Sequence, residues 1–107
     1  MELPNGKIIV LCGSTRFKKL FEEWCLKLTL VGNIVISLPC FTQTDNITLT
    51  KKEVEMIVKM HYSKILLCDE IFVINPNNYI GKSTSEEILY AKSKDKGVRY
   101  LTDYISK

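Results

Sequence analysis

At 107 residues the chain is expected to form one domain, large enough for a single core but small for an enzyme with a fully enclosed cleft, so a second subunit could supply a missing wall. With 46% hydrophobic and 25% charged residues it has the composition of an ordinary soluble globular protein. Its formal charge of +3 comes from thirteen Lys and two Arg scattered among twelve acids with no block of like charge, so no nucleic-acid polymer is implied as a partner.

Lys7 to Cys12 is a short, continuous apolar run of the kind that forms a central parallel strand buried on both faces. A tight turn is expected over Gly13 to Arg16. Phe17, Leu20, Phe21, Trp24 and Leu28 then recur at helical spacing, giving one apolar stripe on a helix that should end near Gly32. Asn33 to Leu38 reads as a second strand. Pro39 to Leu49 is a loop of about eleven residues, longer than is usual in such folds, and loops of this length often cover a site.

Thr50 and Glu53 fit a capping box, and Val54, Ile57, Val58, His61, Ile65 and Leu66 carry a helical period onward. Glu70 to Asn75 is the third strand, Ser83 to about Lys96 the third helix, and Val98 to Leu101 the fourth strand. Strands alternating with helices predict right-handed crossovers and an α/β fold, a three-layer Rossmann/flavodoxin-like sandwich whose small parallel sheet has helices on both faces. Ligands bind such sheets at the carboxyl ends of the strands where the strand order reverses. The turns after the first and third strands should meet there.

Cys12, Cys25, Cys40 and Cys68 form no C-x-x-C pair and lie in or beside apolar runs, which reads as free thiols rather than zinc ligands or disulfides. The opening residues lack the pattern of a signal peptide, and Gly32 and Asn33 interrupt the only extended apolar region. A cytoplasmic protein with no membrane partner is the expectation.

Two phosphate motifs fail on spacing. Gly81-Lys82-Ser83-Thr84 matches the end of a P-loop, but Pro76 stands where the pattern needs its first Gly. Between Cys12 and Arg16 there are too few residues to wrap a phosphate around a thiolate. Ser14 and Arg16 can still bind phosphate oxygens at the mouth of the first strand, or Ser14 can cap the following helix while Arg16 is solvated. Gly81, Ser83 and Thr84 open the third helix, whose free N–H groups and dipole favour an anion.

Glu86, three residues after Ser83, is expected to close a capping box. Glu87, turned by roughly 100° from it, should remain ionised near the helix start, as an attacking carboxylate or as a dipole-stabilising surface residue. Asn75 ends the third strand at the binding edge. Tyr79 and Phe41, in loops, could stack on a base or anchor their loops to the core.

The strand ending Cys12-Gly-Ser-x-Arg16, followed by Asp69, an apolar strand and Glu87 in a Ser-x-Glu-Ile-x-Tyr-Ala setting, resembles the nucleoside 2-deoxyribosyltransferase-like family, which includes the 2'-deoxynucleoside 5'-phosphate N-hydrolases. The resemblance spans nearly the whole chain and implies a single domain of that type over residues 1–107. It implies N-glycosidic bond cleavage or deoxyribosyl transfer on a nucleoside or nucleoside 5'-monophosphate, with Glu87 as nucleophile and a ribosyl-enzyme intermediate. Ser14, Arg16 and the turn from Gly81 to Thr84 would hold the 5'-phosphate. No metal or organic cofactor is implied, and a homodimer or higher homo-oligomer is.

The chain departs from the family at two positions. Val10 stands where the hydrolases commonly carry a Tyr that orients the nucleophile and sugar, and His61 where they carry an Asp that handles the base. A His can also protonate a leaving base. The alternative reading is a non-catalytic nucleotide-binding module that keeps the fold and pocket. A phosphoribohydrolase of the cytokinin-activating type would need paired glycines that are missing around Gly81.

Overall fold

The structure is a computed structural model that describes residues 2–105. Met1 and the last two residues, part of the expected domain over 1–107, lie outside the described residues. The strands are β1 (Ile8–Gly13), β2 (Ile34–Ile36), β3 (Glu70–Ile74) and β4 (Gly97–Tyr100). The helices are α1 (Lys18–Leu30), α2 (Lys51–Leu67) and α3 (Lys82–Ser93). No helix of the described residues is long and apolar enough to cross a membrane.

The four strands form one parallel sheet in the order β2-β1-β3-β4. The chain steps from β1 to one neighbour and then crosses back to the other, so the order reverses between β1 and β3, where a parallel sheet offers its ligand site. Gly13 pairs with Ile74 in register, so both strands end level and their following turns start side by side. A Cβ on Gly13 would lie 3.0 Å from the Ile74 carbonyl oxygen and 3.2 Å from Phe21 Cζ, so this position has no room for a side chain.

Alternation along β1 and β3 sends successive side chains to opposite faces. Ile9, Leu11, Phe72 and Ile74 pack with Phe21, Trp24 and Leu28 of α1, where Trp24 stacks on Phe72 at 5.4 Å between ring centroids. Val10, Cys12, Ile71 and Val73 pack with Ile65 of α2 and with Ile88 and Ala91 of α3. The result is the expected three-layer arrangement. The expected stripe on α2 is only partly used: His61 and Ile65 are buried, while Val54, Val58 and Leu66 are exposed.

Buried polar groups tie the amino ends of the strands. Asn33 accepts from Lys7 N at 3.1 Å and donates to Pro4 O at 2.9 Å and Leu28 O at 2.8 Å, which joins the start of the chain, the end of α1 and the entry to β2. Asn33→Ala strands the Lys7 backbone donor and the Pro4 carbonyl, while Leu28 O keeps its bond from the residue 33 backbone N–H, so it should destabilise the fold by about 1–3 kcal/mol. Urea denaturation measures this, and no loss of stability would mean that water replaces the side chain. Asp69 accepts from Ile8 N at 2.8 Å. It sits at the amino ends of β1 and β3, opposite their ligand-binding edge, and its role is structural.

Candidate functional site

The turn after β1 is built by its own side chains. Ser14 caps a single 3-10 turn over Thr15–Phe17, accepting from Arg16 N at 3.3 Å, and Arg16 Nε donates to the same oxygen at 3.2 Å. The helix therefore starts slightly later than the periodicity implied, at Lys18. Arg16 reaches across to the turn after β3, where Nη2 donates to Tyr79 Oη at 2.9 Å and the guanidinium lies 4.5 Å from the Tyr79 ring centroid. The two expected turns do meet. Arg16 is exposed to solvent, as one of the two readings had it, yet tied to Ser14 and Tyr79, and a held guanidinium loses less entropy on binding an anion.

The loop between β2 and α2 folds over this turn. Thr44 Oγ1 donates to Thr15 O at 3.1 Å, and Lys18 Nζ pairs with Asp45 at 2.8 Å. Gln43 and Leu38 are brought to the same cavity. The capping box at the start of α2 is present as read: Glu53 N donates to Thr50 Oγ1 at 3.1 Å, and Thr50 N donates to Glu53 Oε1 at 2.8 Å. This fixes the entry to the helix that carries His61.

The start of α3 differs from expectation. Gly81, in extended backbone, is the N-cap residue, and the helix opens at Lys82. Ser83 is already inside the first turn, so Glu86 lies beyond reach of the cap and is exposed; the expected Ser83–Glu86 capping box does not form. Gly81 has no side chain to accept from the first N–H groups, which leaves donors of that turn free to meet an anion.

These turns enclose a cavity of about 350 Å³ at the carboxyl edge of the sheet. Ser14, Arg16, Tyr79, Gly81, Ser83 and Thr84 line it, with His61 and Glu87. Lys82, inside the expected phosphate turn, also faces it, as do Thr15 and two residues of the α2 stripe, Ile57 and Val58, for which the sequence suggested no site role. Two expected contacts fall elsewhere. Asn75 is buried and pairs with Thr102, donating from Nδ2 at 3.2 Å and accepting from Thr102 N at 3.2 Å. Phe41 packs edge-on against Phe21, with ring centroids 5.3 Å apart. Both serve the scaffold: Asn75 ties the end of β3 to the chain after β4, and Phe41 anchors its loop to the α1 layer.

At the inner wall, His61 Nε2 lies 3.2 Å from Glu87 Oε1 and 3.4 Å from Cys12 Sγ. His61 is 5% exposed, and its Nδ1 is buried without a partner among the described residues. Burial pushes the Cys12 thiol well up from its ordinary range, and the adjacent Glu87 carboxylate pushes it further by charge and hydrogen bonding. Glu87 remains partly open, its side chain 16% exposed. One carboxylate is thus clamped from behind and presented to the cavity from the front.

Fold and site together define a parallel α/β protein with a cleft at the switch point of its sheet, floored by a carboxylate and rimmed by an arginine and a helix N-terminus. No family model matches the chain, and no curated protein matches it.

Proposed function

We propose that the chain cleaves the N-glycosidic bond of a nucleoside or nucleoside 5'-monophosphate, or transfers its deoxyribosyl group, through Glu87. The observation that carries this reading is Glu87 itself, oriented by the buried His61 at 3.2 Å and open to a cavity that also holds Arg16 and the start of α3. In this reading one oxygen of Glu87 attacks the anomeric carbon as positive charge develops on the sugar. The base leaves with the glycosidic electron pair, and water or a second base then resolves the sugar ester. Held on Glu87, His61 acts first as the residue that positions the nucleophile, the task the family gives to a Tyr where this chain has Val10.

The phosphate would lie among Arg16, Ser14, Ser83 and Thr84. Hydrogen bonds to charged groups contribute about 1.5–3 kcal/mol, so Arg16→Met should raise KM for a 5'-monophosphate roughly 10- to 100-fold. The unphosphorylated nucleoside should be cleaved as before. Equal losses on both substrates would take the phosphate away from Arg16.

A homo-oligomer in the cytoplasm is part of this proposal. The oligomer is supported by the apolar stripe of α2 made by Val54, Ile57 and Val58, in which Val54 and Val58 are exposed and Ile57 and Val58 border the cavity. Sedimentation that gives a monomer at working concentration would remove it.

The test of function is chromatography of base released from a panel of ribo- and deoxyribonucleosides and their 5'-monophosphates, with and without an acceptor base. Base release lost in Glu87→Ala supports the glycosidase. Calorimetric nucleotide binding without release would support the binding-module reading instead. That second reading draws on Val10, which is fully buried and offers no hydroxyl group to the site.

A further inference from the structure

Cys12, His61 and Glu87 come from three different elements, β1, α2 and α3, yet their donor atoms all lie within 4.8 Å of one another. We infer that these three residues form a binding site for a thiophilic divalent cation, zinc by preference, with its fourth coordination position facing the cavity. With zinc bonds of about 2.0–2.3 Å to nitrogen, oxygen and sulfur, the edges of a coordination tetrahedron are about 3.3–3.6 Å long. The separations of 3.4 Å from Nε2 to Sγ and 3.2 Å from Nε2 to Oε1 match two such edges, and the third, from Sγ to the Glu87 carboxylate, lies within 4.8 Å and closes as the ion draws the two side chains in.

The donor set chooses the ion. A thiolate beside an imidazole favours zinc over magnesium or calcium, which take oxygen ligands. Thiolate and carboxylate together cancel the divalent charge, so the occupied site is neutral where a buried unpaired charge would be costly. On binding, the thiol proton leaves to solvent, Nε2 gives its lone pair to the ion, and the imidazole proton resides on Nδ1. Cys12 and His61 are buried, while Glu87 lies at the cavity wall, so the open position points where a water or a substrate oxygen can enter. Three protein ligands and one open position are the layout of an accessible zinc site, not a closed structural one.

The inference stands on the three side chains and not on the glycosidase reading. The two meet in one consequence: an ion held by Glu87 occupies the proposed nucleophile, so the metal-loaded chain would be silent toward base release.

The test uses cobalt(II) as a spectroscopic stand-in for zinc on the purified, chelator-stripped chain, with no substrate present. The expected result is a single equivalent bound, with the strong visible bands of a four-coordinate ion and a near-ultraviolet thiolate-to-cobalt band, both erased by one equivalent of zinc. Cys12→Ser should remove the thiolate band. His61→Ala should weaken binding at least about 100-fold, the upper end of the cost of losing an outer-shell partner alone. Cys25→Ser, on α1, should change neither. Absence of a thiolate band in the unmutated chain would overturn the inference even if a variant failed to fold. So would a band that survives in Cys12→Ser shown by circular dichroism to be folded.

Discussion

Glu87→Ala should lose base release by about 10⁴-fold or more, the scale of removing a nucleophile from a catalytic unit. The other two residues of the inner wall are poorly placed to take over, because His61 and Cys12 are buried and His61 is already engaged with the carboxylate. Glu87→Gln is the sharper variant: it keeps the shape and can still accept from His61, but an amide does not attack an anomeric carbon. Its substrate affinity, measured by calorimetry, should stay within a few-fold of the parent while turnover disappears. Glu86→Ala, next in the chain but exposed and outside the cap, should leave both unchanged. If Glu86→Ala were the variant that silenced release, the assignment of the nucleophile would be wrong.

His61→Ala should lower kcat by about 100-fold, the cost of a reacting group misplaced by roughly an ångström. The loss comes with a diagnostic that separates two roles. A residue that protonates the departing base matters most for poor leaving groups, so its removal is nearly silent when the base leaves without a proton. A residue that orients Glu87 matters for every substrate alike. With Nε2 at 3.2 Å from Oε1, the expected outcome is an equal loss across bases of different leaving ability. A penalty that shrinks steeply as the leaving group improves would make His61 the acid. Stability should fall too, since truncation leaves a void between α2 and the sheet, so rates are compared at a temperature where circular dichroism shows the variant folded.

What could be read from the sequence was what local chemistry decides. Thr50 and Glu53 bond to each other three residues apart, so the start of α2 was legible before any packing was known. The strands were legible because a buried parallel strand needs a continuous apolar run, and β1 and β3 are two such runs. Ser83 and Glu86 have the same spacing as Thr50 and Glu53 but form no box. Gly81 can adopt the cap conformation with no side chain at all, and with the cap at Gly81 the helix opens before Ser83 can act as one.

Loop side chains were legible only as alternatives. Tyr79 and Phe41 are both aromatic and both near the edge, but Tyr79 is tied to Arg16 whereas Phe41 turns to Phe21. That difference depends on how the long loop packs against α1, which no local pattern encodes. The Cys12–His61–Glu87 cluster was the least legible feature. Cys12 and His61 are 49 residues apart and meet only because the strand order sends α2 and α3 to the same face of β1. Cys12 sharing a face with Val10 was the available signal; the helix partners waited on the sheet order.

The most direct test of the central claim is mass spectrometry of the chain mixed with a slow, 2'-fluoro-substituted analogue of whichever substrate the release panel identifies. The account predicts that the chain gains the mass of one fluorinated sugar unit, with its 5'-phosphate where the substrate is a monophosphate, that the base appears in solution in equal amount, and that peptide mapping puts the adduct on Glu87. Base release with an adduct on another residue, or with no adduct while the analogue is consumed, would contradict it.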